Sequence, residues 1–170
     1  MDFASLLETT LTQPQLYALA FLLGSFAVAA LSDVRRMSAQ REFLEVWLLV
    51  IAALFAYDIY NIYNGADWQL VAVRWVMILI ISIAAHQWTG LLFSLARADV
   101  AACASVAALL SPVLIIVFYI VLKVLDLLMR PFLKAVGSGD AYPFMPVVLV
   151  GTAATAAFVI WALPWLMALF

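Results

Sequence analysis

Asp33, Asp99 and Asp140 are the residues on which chemistry can be built in this sequence. Each stands at the edge of a long apolar stretch, where an ionisable side chain is costly unless it is paired or put to use. Two aspartates brought together at a wet membrane edge can carry out acid/base hydrolysis. Like charges a few ångströms apart cannot both ionise comfortably, so such a pair holds one proton. The ionised member activates a water, and the protonated member donates to the carbonyl of the bond being cut. No metal, cofactor or covalent intermediate is required. Other chemistries have less to work with. His86 is the single histidine, with no serine-protease motif around it and no second histidine for a metal site within one chain. Cys103 is the single cysteine, which excludes an internal disulfide and a cysteine-rich zinc module. It lies in the small-residue run Ala101-Ala102-Cys103-Ala104, where it reads as packing. A net charge of −2 gives no footing for nucleic acid.

These acids must be held by membrane helices. The chain is 69% hydrophobic and 11% charged, where soluble domains carry about 25% charged residues. A helix needs roughly 20 apolar residues to cross the hydrocarbon, and the apolar runs here are long rather than alternating. The reading is an all-α, polytopic integral membrane protein, one domain over residues 1–170, with about six spans near 16–32, 43–60, 70–95, 99–110, 113–129 and 144–163. Asp2 and Glu8 stand where a signal peptide would be basic, so a short polar lead is expected before Pro14 opens the first span. Asn64-Gly65 marks the turn after the second span. The end of the third is blurred by His86, Gln87, Thr89 and Gly90. Ser111-Pro112 divides an otherwise continuous apolar stretch into a fourth and a fifth span.

Charge placement favours six spans over five. Lys and Arg concentrate on cytoplasmic loops. With six spans one face collects Arg35, Arg36, Arg41, Arg97, Arg130 and Lys134, and the other collects Asp2, Glu8, Asp58 and Asp67. With five, Arg130 and Lys134 would move to the acidic face. Both termini are therefore expected outside a cytoplasmic membrane, with Asp33, Asp99 and Asp140 on the cytoplasmic side.

Leu31-Ser32-Asp33-Val34-Arg35-Arg36 resembles the end of the first helix in type IV prepilin and archaeal preflagellin peptidases. There an aspartate followed by aliphatic and basic residues supplies one catalytic carboxylate. Ala96-Arg97-Ala98-Asp99-Val100, with the alanine-rich run, Leu109-Leu110 and Pro112 after it, resembles that family's fourth helix and its second acid. Arg97 and Ala98 stand where the family usually has glycines. Pro143-Phe144-Met145-Pro146 and the apolar run to Gly151 resemble the start of its sixth helix. The resemblance implies an intramembrane aspartic endopeptidase with Asp33 and Asp99 catalytic and no cofactor. It would remove short leaders from pilin-like or archaellin-like precursors at the cytoplasmic face. The bacterial members that also methylate carry a cysteine-bearing cytoplasmic segment with no counterpart here, so peptidase activity alone is implied.

Alternatives stay open. Gly137-Ser138-Gly139-Asp140 spells the family's Gly-x-Gly-Asp literally, which makes Asp140 an alternative second acid. Tyr57-Asp58 resembles the Tyr-Asp motif of presenilins and signal peptide peptidases, with Asp140 as its partner, although six spans would set the two about a bilayer apart. A non-enzymatic reading, a transporter or assembly subunit, gives the acids structural or proton-carrying roles. Asp33 among Arg35 and Arg36 then reads as an interfacial ion cluster, and Asp99 and Asp140 as acids at helix N-termini. Lys123 and Asp126, three apart, are expected to pair with each other. Arg74 is expected to reach the interface or Asp67. Trp68, Trp75, Trp161 and Trp165 read as interfacial anchors, and Gly151, Ala153, Ala154, Ala156 and Ala157 as close-packing positions on the last helix.

Overall fold

Proline opens three of the helices, as its fixed φ and missing N–H favour. The computed structural model describes residues 11–36, 41–136 and 142–162. Helix α1 (Gln13–Arg36) has Pro14 in its first turn; α5 (Pro112–Val136) begins on Pro112; α6 (Met145–Ala157) has Pro146 in its first turn and runs on into a π-helical turn, Phe158–Ala162. Between them lie α2 (Arg41–Tyr63), α3 (Trp68–Ala85) and α4 (Arg97–Ala107). The chain is an all-α, multi-pass membrane protein. Five helical segments, α1, α2, α3, α5 and α6 together with its π-helical turn, are long and apolar enough to cross a bilayer, and no strand occurs among the described residues.

The outer surfaces of α2 and α3 explain where the apolar excess goes. Leu48, Leu49, Phe55, Val76, Leu79 and Ile80 are exposed. In water that belt would aggregate; against acyl chains it costs nothing. The α2–α3 hairpin turns at Asn64-Gly65 as the sequence indicates, with Gly65 at φ 96°, a conformation other residues avoid. Asp67 caps α3 by accepting from the Gln69 N–H at 2.9 Å.

Helix α4 is the central element, packed against α1, α2, α3 and α6. Eleven residues at 1.5 Å each make it about 16 Å long, half of what a crossing needs. Ala101 through Ala107 are all buried, because small side chains let neighbouring backbones close around it on every side. Ala102→Leu, at a fully buried site, is expected to overpack this contact and destabilise the protein by about 1–3 kcal/mol, read as a lowered unfolding midpoint in detergent.

Several helix limits differ from the sequence reading, each for a local reason. Helix α3 ends at Ala85 rather than near residue 95. His86 leaves in an extended conformation, the Thr89 hydroxyl donates back to the Ile83 carbonyl at 2.6 Å, and Gly90 takes φ 59°. The loop over 86–96 then folds back on the helix end. The Gln87 N–H donates to the Leu95 carbonyl at 3.0 Å and the Leu95 N–H to that of Ala85 at 3.1 Å. Helix α5 continues past residue 129 to Val136 despite Pro131, with Asp126 and Arg130 paired across the preceding turn. On α6, Gly151 faces the Leu122 side chain, which would stand 2.6 Å from an added Cβ. Ala153 and Ala154 are exposed instead of packing.

Candidate active site

Asp33 sits in the last turn of α1, at the end of the bundle to which the helix's apolar length has carried it. It is 7% exposed. Its Oδ2 accepts from the Met145 N–H at 3.1 Å, so the carboxylate occupies the N-terminus of α6, where free amides and the helix dipole favour an acid. That contact follows from Met145 opening α6 and from the packing of α1 along α6.

Asp99 lies in the first turn of α4. Ala96 caps the helix without a side-chain acceptor, and Asp99 occupies the third helical position, from which an acid can reach back toward the cap amide. Asp99 is half-buried and within electrostatic reach of Asp33. The two acids thus come from separate helices, α1 and α4, to one end of the bundle.

Comparison of the chain with protein-family models, curated proteins and solved structures finds no match. What the site can do must be read from its own residues.

Asp140 and the Gly-x-Gly-Asp run lie outside the described residues, as do Asp2, Glu8 and Trp165. Asp58 is at the far end of α2 from Arg41, the helix end remote from Asp33. It is buried, paired with Arg74 of α3, and accepts from the Trp75 indole N–H at 2.7 Å. Arg74 therefore reaches across to Asp58 rather than to Asp67 or the interface. Trp75, expected as an interfacial anchor, spends its N–H on this ion pair, with its ring edge-on to Phe55 at 5.0 Å. Asp58 is thus a buried acid held in an ion pair between α2 and α3.

Lys123 and Asp126 do not hold each other. Lys123 Nζ donates to the Leu92 carbonyl at 2.6 Å and lies over the Phe93 ring, 4.7 Å from its centroid. Asp126, fully buried, accepts from Arg130 one turn on and from the Tyr142 hydroxyl. The i,i+4 spacing of Asp126 and Arg130 was the available sequence signal for half of this cluster; Tyr142 had none. Burial first, then its bond to Asp126, pushes the Tyr142 hydroxyl up to about 12. It stays protonated, and hence a donor, throughout the physiological range. Subtracting the tyrosinate absorbance titration of Tyr142→Phe from that of the wild type is expected to isolate a midpoint at about 12.

His86 accepts at Nδ1 from the Trp88 N–H at 3.2 Å. With Ser82, Ile83, Trp88, Thr89 and Val100 it lines an open cavity of about 310 Å³ that reaches the residue following Asp99. Arg97 lies over the Trp88 ring at 5.9 Å. Cys103 is fully buried inside α4. Among the described residues no three His, Cys, Asp or Glu side chains are grouped to hold a metal ion. The arrangement at this end is therefore two carboxylates, one of them on a helix N-terminus, and an open cavity whose lining reaches Val100 but neither acid.

Proposed function

We propose that the protein is an intramembrane aspartic endopeptidase of the prepilin and preflagellin peptidase type, with Asp33 and Asp99 as its catalytic pair. One observation carries the reading: two acids far apart in sequence, Asp33 in the last turn of α1 and Asp99 in the first turn of α4, stand on helices that pack against each other and against α6. A pair sharing one proton is what acid/base hydrolysis of a peptide requires. The ionised carboxylate takes a proton from a water as the water's oxygen bonds to the scissile carbon. The protonated carboxylate gives its proton to the carbonyl oxygen, and collapse of the tetrahedral species expels the amine, protonated by the pair. The half-burial of Asp99 leaves its carboxylate open to a substrate.

The same end of the bundle bears Arg35, Arg97, Arg130 and Lys134, and basic loops remain on the cytoplasmic side. In this reading the site faces the cytoplasm from the cytoplasmic membrane, both termini lie outside, and the substrate is a pilin-like or archaellin-like precursor parked in the bilayer. Its leader would present the scissile bond at the membrane edge. The competing reading, a non-enzymatic transporter or assembly subunit, uses the acids for structure or proton transfer, and the hydrogen bond from Met145 to Asp33 is the observation in its favour.

Membranes holding the protein are incubated with a prepilin-like and an archaellin-like precursor, and with candidates from its own genome. A shortened product whose new N-terminus lies just ahead of the precursor's hydrophobic helix is the expected result. Failure to cut any of them, with the protein present and folded, would retire the peptidase in favour of the non-enzymatic reading.

A further inference from the structure

Helix α5 contributes no acid to the pair, yet the end of it nearest the pair touches both segments that lead to it. Lys123 fixes the loop that leads into α4: its ammonium binds the Leu92 carbonyl at 2.6 Å and lies over Phe93. Four residues beyond Phe93 the chain becomes α4 and carries Asp99. Asp126 fixes the segment that leads into α6 by accepting from Tyr142. Three residues beyond Tyr142 stands Met145, whose N–H holds Asp33. The two segments also meet directly. Phe93 packs edge-on against Phe144 at 6.0 Å, and Phe144 against Tyr142 at 6.5 Å. A continuous chain of contacts thus runs from Lys123 through Phe93, Phe144 and Tyr142 back to Asp126, one turn along the same helix.

We infer that Lys123 and Asp126 are positioning residues, a two-pronged clamp on α5 that sets the separation of the Asp33 and Asp99 carboxylates. The physical basis lies in the polar groups used. The Leu92 N–H already bonds the Ala84 carbonyl at 3.1 Å, tying the loop to α3; the Lys123 ammonium on the Leu92 carbonyl ties the same residue to α5 as well. The cation over the Phe93 ring adds directional attraction. Asp126 is fully buried, and a buried carboxylate keeps its two donors, Arg130 and Tyr142, because losing either leaves a charge underpaired. The backbone on both sides of the pair is thereby tied to one rigid helix, and catalysis is sensitive to displacements of about 1 Å. On the peptidase reading that separation governs the rate; the clamp itself stands without it.

The test uses the full chain in lipid nanodiscs in a Cys103→Ala background. Asp33→Cys and Asp99→Cys are introduced together, and bridging of the two thiols by dibromobimane is timed. Bridging is expected with Lys123 present, to slow about tenfold with Lys123→Met and with Tyr142→Phe, and to recover with Lys123→Arg, which keeps both a donor and a cation over the ring. In parallel, Lys123→Met with both aspartates intact is expected to lower kcat for precursor cleavage about 10- to 100-fold with KM little changed, again recovered by Lys123→Arg. Bridging at one rate in every variant, or no bridging in any, would overturn the clamp. Bridging that responds to Lys123 in a protein that cuts no precursor keeps the clamp and removes the peptidase. Should the double cysteine variant fail to fold, a nitroxide at Leu91→Cys reports the loop: greater mobility with Lys123→Met supports the clamp, and unchanged mobility overturns it.

Discussion

Asp33→Asn and Asp99→Asn are each expected to reduce precursor cleavage by about 10²- to 10⁴-fold, and the double variant by little more than the worse single one. Asparagine keeps the size of the side chain, and its carbonyl oxygen can still accept from the Met145 N–H that now bonds Asp33, so the α1–α6 contact survives. What is lost is the exchange of a proton between the two groups. Neither amide can take a proton from water or supply one to a carbonyl oxygen at neutral pH, so half a pair is no pair, and residues acting as a unit are strongly non-additive. The measurement is the gel shift of a precursor in membranes containing equal amounts of each variant. Asp140→Asn belongs in the same set. Full cleavage by it confirms Asp33 and Asp99 as the pair, whereas loss in Asp140→Asn together with survival in Asp99→Asn keeps the protease and moves its second acid.

The second large effect concerns stability. Asp58 and Arg74 are both buried, 6% and 7% exposed, and bind each other across α2 and α3. Removing one partner strands the other charge in a low-dielectric interior, which costs about 3–5 kcal/mol. Asp58→Ala and Arg74→Met are each expected to lower the unfolding free energy in detergent by that much, read from the shifted midpoint. The paired change Asp58→Leu/Arg74→Met is expected to recover most of it, because no charge remains to be desolvated. A residue of about 1–3 kcal/mol should persist from the Trp75 N–H, which loses its acceptor. Cleavage per folded molecule should be unaffected in all three variants. A loss of cleavage without a loss of stability in Asp58→Ala would instead bring Asp58 into the chemistry and revive the presenilin-like reading.

The turn at Asn64-Gly65, the break at Pro112 and the place of Asp33 and Asp99 at helix ends are legible in the sequence because each is local. A turn residue, a proline or an acid at the edge of an apolar run carries its meaning within a few neighbours. Partnerships between helices are not. Arg74 is as near in sequence to Asp67 as to anything acidic, and its actual partner Asp58 is set by the rotational register of α2 against α3, which no spacing rule encodes. Lys123 and Asp126 illustrate the same limit from the other side. Their three-residue spacing permits a pair, but each has a stronger offer from another segment, the orphan Leu92 carbonyl in one case and Arg130 with Tyr142 in the other. The extent of α3 was misjudged because residues 86–95 are apolar enough to continue a span, while the Thr89 hydroxyl and Gly90 are enough to stop it. The role of Met145 in holding Asp33 is not legible in the sequence, since a backbone amide leaves no trace in side-chain pattern.

The shortness and burial of α4 bear on how the molecule is made. Segments leave the translocon for lipid one at a time, each by virtue of its own hydrophobicity, and pack together afterwards. Eleven residues that begin with an arginine and an aspartate and continue mainly in alanine have little claim on the bilayer by that criterion. Five segments can insert independently, and α4 is drawn to its place by partners already there, as a passenger of the nascent bundle. The helix that carries Asp99 is thus seated only when α1, α2, α3 and α6 have closed around it, so a molecule caught before that step holds one acid and lacks the other.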